Sequence, residues 1–319
     1  MRLENTTLQF NEHLYMLDLS IVIVNYRSWA KIGSCLQSLS QQNNLAQEII
    51  VVDNYSNDGI LENFTEKFPF VTWIKNNKNE GFAAACNIGA RQTSTKWLLF
   101  LNPDTNLPKD CLSTLIPFCD THSEYHLISI KQIDEKGNNT HPYGIFPNAL
   151  NSLGLIRSLN RLFLFPDQTK RAISKNSVSY PQWISGSFVL IRAKHFNLLN
   201  GWDEKFWIYF EDVDLSKRAF ENGLKRVLLN DWECIHSHGV SSRLNKTIKI
   251  LTKSEVVKSN HRYIDKHFVG NTRIIAHIWL RLHKSLELIL MGIIDPSKRK
   301  IFKTLIPFWY QLFSKHIKS

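Results

Sequence analysis

Read as apolar and polar positions, the first half of the chain alternates between two periods. "LSIVIVNY" (19–26) is a continuous β-branched run and predicts a strand buried on both faces. A stretch with helical spacing follows to about Gln42. "EIIVVDN" (48–54) and the weaker "VTWIKN" (71–76) predict two more strands, "FAAACNIGARQT" (82–93) a helix, and "KWLLFLNPD" (96–104) and "HLISI" (126–130) further strands, with Pro108 suited to a helix start. Strands alternating with helices predict an α/β domain built on a single Rossmann-like, mostly parallel sheet flanked by helices. Residues 135–180 carry no clear period and predict an irregular insertion, with a short apolar stretch near Leu153–Phe165. Order returns with "WISGSFVLIRAKHF" (183–196), a strand entered through a small-residue turn. A helix should run to about Asn222 and end at Gly223, before a strand "KRVLLN" (225–230).

Three predicted strands end in polar residues: Asn25-Tyr26, Asp53-Asn54 and Asn102-Pro103-Asp104. Open α/β sheets bind ligands beyond the carboxyl ends of their strands, so Asp53 and Asp104 should face one crevice. Caps and turns favour the same residue types and are the competing explanation for each alone. No G-x-G-x-x-G follows the first strand and no Walker-type phosphate loop exists in the sequence, which argues against a dinucleotide oxidoreductase or a P-loop NTPase. A crevice that binds phosphates without such a loop needs a cation, and a hard divalent ion held by a carboxylate would serve. A second cluster, Glu211, Asp212 and Asp214, stands behind Phe206, Trp207, Tyr209 and Phe210. Burying carboxylates behind aromatic rings is costly without a compensating proton, cation or substrate. For Asp214, at i and i+4 with Arg218, the simpler expectation is a helix-surface ion pair. For Glu211 it is a helix-start cap.

The motifs "SIVIVNY", "EIIVVDNYSNDG", "NEGFAAACNIGA", "WLLFLNPDT", "WISGSFVLIR", "GWDEKFWIYFEDVDLSKR" and "IHSHGVSS" fall in one order over residues 18–268. This order resembles the inverting family 2 glycosyltransferases of GT-A fold, nearest to a rhamnosyltransferase-like branch. The resemblance implies an enzyme moving a sugar, rhamnose among the candidates, from a nucleoside-diphosphate sugar to a glycan or lipid-linked acceptor in envelope polysaccharide synthesis. It places Asn25, Tyr26, Asp53, Asn79, Gly81, Asn87 and Asn102 on the nucleotide sugar and Gly186 and Trp207 on the acceptor side. Asp212 takes the place of the general base with Glu211 beside it. Asp104 takes the metal-ligand place, with His236, or His238 as the alternative, completing a Mg²⁺ or Mn²⁺ site. The alternative class is a non-catalytic sugar-nucleotide-binding or scaffolding protein of the same fold. A processive synthase would carry membrane spans and a Q-x-x-R-W motif, and neither is found in the sequence.

Charge changes the picture at the C-terminus. Residues 271–319 hold nine Lys/Arg against two Asp/Glu, a net of +7 out of +11 for all 319 residues. Apolar stripes run through 273–294 and through Phe302, Leu305, Ile306, Trp309, Leu312 and Phe313, where Pro307 should kink the helix or restart it. The expected organisation is therefore an N-terminal extension (1–17), a GT-A domain (18–270) and a basic amphipathic helical tail (271–319). Such a tail points to an anionic membrane surface, with packing on the catalytic domain as the competing explanation. No nucleic-acid recognition motif is present, so no nucleic-acid partner is expected. Five scattered cysteines without a C-x-x-C pair, no secretory signal and no long uncharged apolar run lead to the expectation of a cytoplasmic protein lying peripherally on the inner face of a membrane.

Overall fold

The computed structural model describes residues 16–148, 177–237 and 245–317. Strands β1 (Leu17–Asn25), β2 (Ala46–Asp53), β3 (Thr72–Lys75) and β4 (Trp97–Leu101) lie parallel in the order β3-β2-β1-β4. The sheet continues from β4 through β10 (Phe188–Arg192), β6 (Leu127–Ile133) and β11 (Arg226–His236) to β5 (Thr105–Asn106), with β8 (Val178–Ser179) also paired to β11. β10 runs antiparallel to both of its neighbours, so the sheet is mixed, though mostly parallel. β7 (Tyr143–Gly144) and β9 (Trp183–Ile184) form a separate two-stranded ribbon.

The apolar runs are continuous because both sheet faces are covered. Ile21, Ile23, Val51, Leu99 and Leu101 point to one face, against α1 (Trp29–Ser40) and α4 (Cys111–Thr121). Val22, Val24, Ile50, Val52 and Phe100 point to the other, against α3 (Phe82–Ala90), α5 (Ala193–Leu198) and α6 (Glu211–Glu221). The short α2 (Leu61–Lys67) packs beside α1 through Phe64, 4.9 Å from the Trp29 ring. All five cysteines are free and buried.

Several boundaries differ from expectation for identifiable reasons. The strand expected to reach Asp104 stops at Leu101 and resumes as β5, because Pro103 lacks an N–H for the ladder. The segment 183–196, expected as a strand entered through a small-residue turn, is the short β9, the Ser185-Gly186-Ser187 turn, β10 and the start of α5. The strand begun at Arg226 runs on to His236 through a register shift between Leu229 and Glu233. The apolar stretch near Leu153–Phe165 lies outside the described residues, as do residues 1–15 of the expected N-terminal extension, and His238, Gly239 and Ser241.

Three long helices complete the chain: α7 (Lys246–His267), α8 (Gly270–Gly292) and α9 (Pro296–Ile317). α7 was not expected; its apolar positions are sparse and polar side chains such as Thr252, Ser254 and Ser259 are buried in it. α9 passes through Pro307 as one helix, without the restart expected there. The α9 stripe is packed inward: Ile301, Leu305 and Trp309 form a core with Val257 of α7 and Leu288 of α8. Trp309 is 2% exposed and its indole N–H donates to His261 Nε2 at 3.0 Å. Leu305 and Trp309 of the expected stripe are thus packed inward against α7 and α8, while Ile306 is 47% exposed.

Candidate active site

The crevice lies beyond the carboxyl ends of β1, β2 and β4. Asn25 ends β1 and donates from Nδ2 to Asp53 Oδ1 at the end of β2, 3.0 Å away. Asp53 also accepts from the backbone N–H and hydroxyl of Ser56, and Ser56 Oγ accepts from the Arg27 N–H at 2.8 Å. These bonds lock the two strand ends together and leave Asp53 buried at the base of the crevice. Tyr26 stands at its mouth, with the Arg27 guanidinium 5.6 Å from its ring.

Asn54, next along, shapes the following turn. Its side chain donates to Asn79 Oδ1 and Gly81 O and accepts from Asn76 and from the Glu80 N–H, all at 3.0–3.1 Å. Asn79 Oδ1 also accepts from the Gly81 N–H. Gly81 sits at φ +87°, and a Cβ there would fall 2.3 Å from the Trp207 carbonyl oxygen, so the close approach requires glycine. Trp207 was expected on the acceptor side. The structure holds it to this turn: its indole donates to Asn79 O at 3.3 Å and its carbonyl accepts from Phe82 N at 2.7 Å. Asn87 was expected on the nucleotide sugar, but its amide is spent on the loop after α5, bonding both the N–H and the C=O of Trp202 and Glu204 Oε1.

On the opposite side Asn102, Asp104 and His236 meet. His236 Nε2 lies 3.2 Å from Asp104 Oδ1 and 3.3 Å from Asn102 Nδ2. His236 Nδ1 faces Gln132 Oε1 at 2.8 Å. A carbonyl oxygen accepts, so Nδ1 carries the proton and Nε2 presents its lone pair beside a carboxylate oxygen. Two such acceptors side by side in a buried place suit a cation. The donor set, one carboxylate and one imidazole with its far nitrogen fixed by a carbonyl, fits a divalent ion that takes its remaining ligands from phosphate and water. Among the described residues no group of three or more His, Cys, Asp or Glu side chains is placed to hold a metal.

The Ser185–Ser187 turn joins the two sides. Ser187 O accepts from Asn102 N at 3.0 Å, and its hydroxyl donates to Gln132 Oε1 at 2.9 Å. The N–H of Gly186 donates to Asp212 Oδ2 at 3.1 Å, while Asp212 Oδ1 accepts from the Val213 N–H at 2.8 Å. Burial pushes the Asp212 carboxyl up; these two N–H groups oppose that and leave it raised above the ordinary aspartate value.

The acidic cluster splits into three roles. Tyr209 and Phe210 both adopt left-handed backbone, φ +68° and +69°, an arrangement that costs non-glycine residues about 1 kcal/mol or more each and that recurs at functional sites. It starts α6 with Asp212 aimed at the Gly186 turn and Glu211 turned inward. Glu211 is buried and its Oε2 has no hydrogen-bond partner. Burial, then the charges of Asp212 and Asp214, hold its carboxyl well above the usual range. Asp214 is not a surface pair. It is fully buried, with Arg218 Nε, Lys266 Nζ and His267 Nε2 at 2.8, 2.7 and 2.8 Å. Burial opposes its charge, but the His267 bond and the Arg218 and Lys266 cations prevail and hold its carboxyl below the ordinary value. The expected aromatic wall divides likewise: Phe206 packs with Val213 and Tyr263, and the Phe210 ring lies tilted 5.7 Å from that of Tyr263.

Sequence reasoning missed Gln132, Ser187, Asn54 and the α7 residues Lys266 and His267. For Gln132 the sequence carried no distinguishing signal: its strand also holds Ser129 and Lys131, and only the structure shows Gln132 fully buried.

The family model described as "Glycosyl transferase family 2" matches residues 20–179. The chain is 24% identical over 240 residues to an N-acetylglucosaminyl-diphospho-decaprenol L-rhamnosyltransferase of Mycobacterium tuberculosis, covering 68% of this chain and 75% of that one. It is 25% identical over 265 residues to the rhamnosyltransferase WbbL of Escherichia coli K12, covering 79% and 95%. Among solved structures it is similar to GalNAc-T7 with UDP, GalNAc and Mn²⁺ (TM-score 0.56, 15% identity, 83% of this chain and 54% of that one) and to S. aureus TarS (0.52, 18%, 84% and 43%). The chain spans about half the length of those two, and the likeness carries the GT-A architecture expected from the motifs.

Proposed function

This chain belongs to glycosyltransferase family 2, and on that premise we propose that it is an inverting, metal-dependent enzyme transferring a hexose, with rhamnose the favoured candidate, from a nucleoside-diphosphate sugar to a glycan or lipid-linked acceptor of the cell envelope. It works peripherally at the inner, anionic face of a membrane. One observation carries the reading: the Ser185–Ser187 turn holds Asp212 on one side and the Asn102–Asp104–His236 group on the other.

Inversion is a single displacement. The acceptor hydroxyl loses a proton as it attacks, and Asp212, its carboxyl raised by burial, is the base that receives it. Glu211 beside it is turned inward and buried, with Oε2 lacking a hydrogen-bond partner. Asn25, Asp53 and the Asn79–Gly81 turn form the nucleotide end of the crevice. Asp104 and His236 would hold a Mg²⁺ or Mn²⁺ ion, which when bound supplies the positive charge that a departing diphosphate requires.

The test is Asp212→Asn, assayed with a panel of nucleoside-diphosphate sugars. Transfer should fall by at least about a hundredfold, while donor binding and the melting temperature stay near wild type. Near wild-type turnover would remove Asp212 as the base.

A further inference from the structure

α8 is apolar on two opposite faces. Ala276, Leu280 and Leu288 are buried against α7 and α9. Ile274, Ile278, Leu282, Leu286, Ile289 and Ile293 follow one another at spacings of three or four and are each 43–76% exposed. That spacing keeps them in one stripe along a helix about 34 Å long. An ordinary surface helix presents charged or polar groups there, and an apolar stripe of this length left open marks an interaction surface. None of the described helices is long and apolar enough to cross a membrane, so the stripe lies along its partner rather than through it.

Charge identifies the partner. Arg281 flanks the stripe on α8, and Lys298, Arg299, Lys300 and Lys303 follow on the first turns of α9. Glu287 is already engaged by Lys284 and Lys298. A second copy of the chain docked about a two-fold axis would bring this basic surround against itself. An anionic lipid surface satisfies the apolar stripe and the cations together.

We propose that the outward face of α8 seats the enzyme on an anionic phospholipid surface, and that this seating is rigidly coupled to the catalytic helix. The coupling rests on the reading of Asp212 given above. Lys266 and His267, in the last turn of α7, both hold Asp214, two residues from Asp212 on α6. α8 begins at Gly270, three residues after His267, a reach of about 10 Å at most. The base is thereby held at a set height above the headgroups, which selects acceptor hydroxyls displayed near the bilayer.

The experiment is co-sedimentation of the full chain with vesicles of phosphatidylglycerol and phosphatidylcholine, and with phosphatidylcholine alone. The wild type should sediment with the anionic vesicles at low salt and be partly released as salt rises. The combined variant Ile278→Glu, Leu282→Glu, Leu286→Glu alters exposed side chains and should bind at least about tenfold more weakly with an unchanged melting temperature. If it fails to fold, the same three positions changed to Ser give the readout. Asp212→Asn should sediment like wild type while losing transfer, so the catalytic and docking readings fail separately. The proposal is overturned if the α8 variant sediments like wild type, if Tyr310→Glu on α9 alone abolishes binding, or if the wild type forms a dimer that the α8 variant dissociates while neither binds vesicles.

Discussion

Asp104 Oδ1 and His236 Nε2 lie 3.2 Å apart in a buried corner, where the proposed cation would sit. Asp104→Ala is therefore expected to abolish the dependence of donor binding on Mn²⁺, with weaker binding overall, measured by calorimetry with and without the ion. Unchanged, metal-independent affinity would take Asp104 out of the site. At this scale the sequence exposed the acidic residues by their position at strand ends. It did not expose what they touch: Gln132, which sets the His236 tautomer, is over a hundred positions away in the chain. Nor did it separate Glu211 from Asp212. Neighbours in sequence on a helix point about 100° apart, and only the packing around α6 decides which one faces the crevice.

Among elements, the junction of α7, α8 and α9 holds a directional chain of hydrogen bonds. Trp309 donates to His261 Nε2, so His261 donates from Nδ1 to His277 Nδ1 at 2.8 Å, and His277 donates from Nε2 to Asp265 at 2.9 Å. Each proton is assigned by the one before it, and both imidazoles must be neutral. Burial, the neighbouring His277 and, more weakly, Arg281 push His261 down to about 3, against an opposing pull from Asp265. The folded value lies below the unfolded one, so the contribution is fully present above about pH 6.5 and is lost as pH falls toward 3. The junction should lose on the order of 2 kcal/mol by pH 4.5, read as a falling melting temperature in a pH series. His261→Phe should flatten that dependence. A pH-independent melt of the wild type between pH 7 and 4.5 would refute the proton assignment. The helical periods of α8 and α9 were legible in sequence. α7 was not, because its buried face is largely polar and hydrogen-bonded to its own backbone and to the loop before α6.

For the whole molecule, α7 fastens the catalytic helix through Asp214 and shares apolar cores with α8 and α9, so residues 271–319 are not a detachable tail. A chain ending at Gly270 would expose Val257, Ile264 and the His261 junction. It should melt lower than the full chain by several degrees or aggregate, as monitored by scanning calorimetry and size exclusion. An unchanged melt would show the helices to be independent. The sequence by itself determined the alternation of strands and helices, the strand-end carboxylates and the basic C-terminus, because periodicity, turn chemistry and charge are local properties. The tertiary structure decided the antiparallel β10, the Ser185–Ser187 bridge between the two halves of the site, the buried hub at Asp214 and which of two amphipathic helices keeps its apolar face outward. Those depend on pairings between residues tens to hundreds of positions apart, which no local pattern encodes.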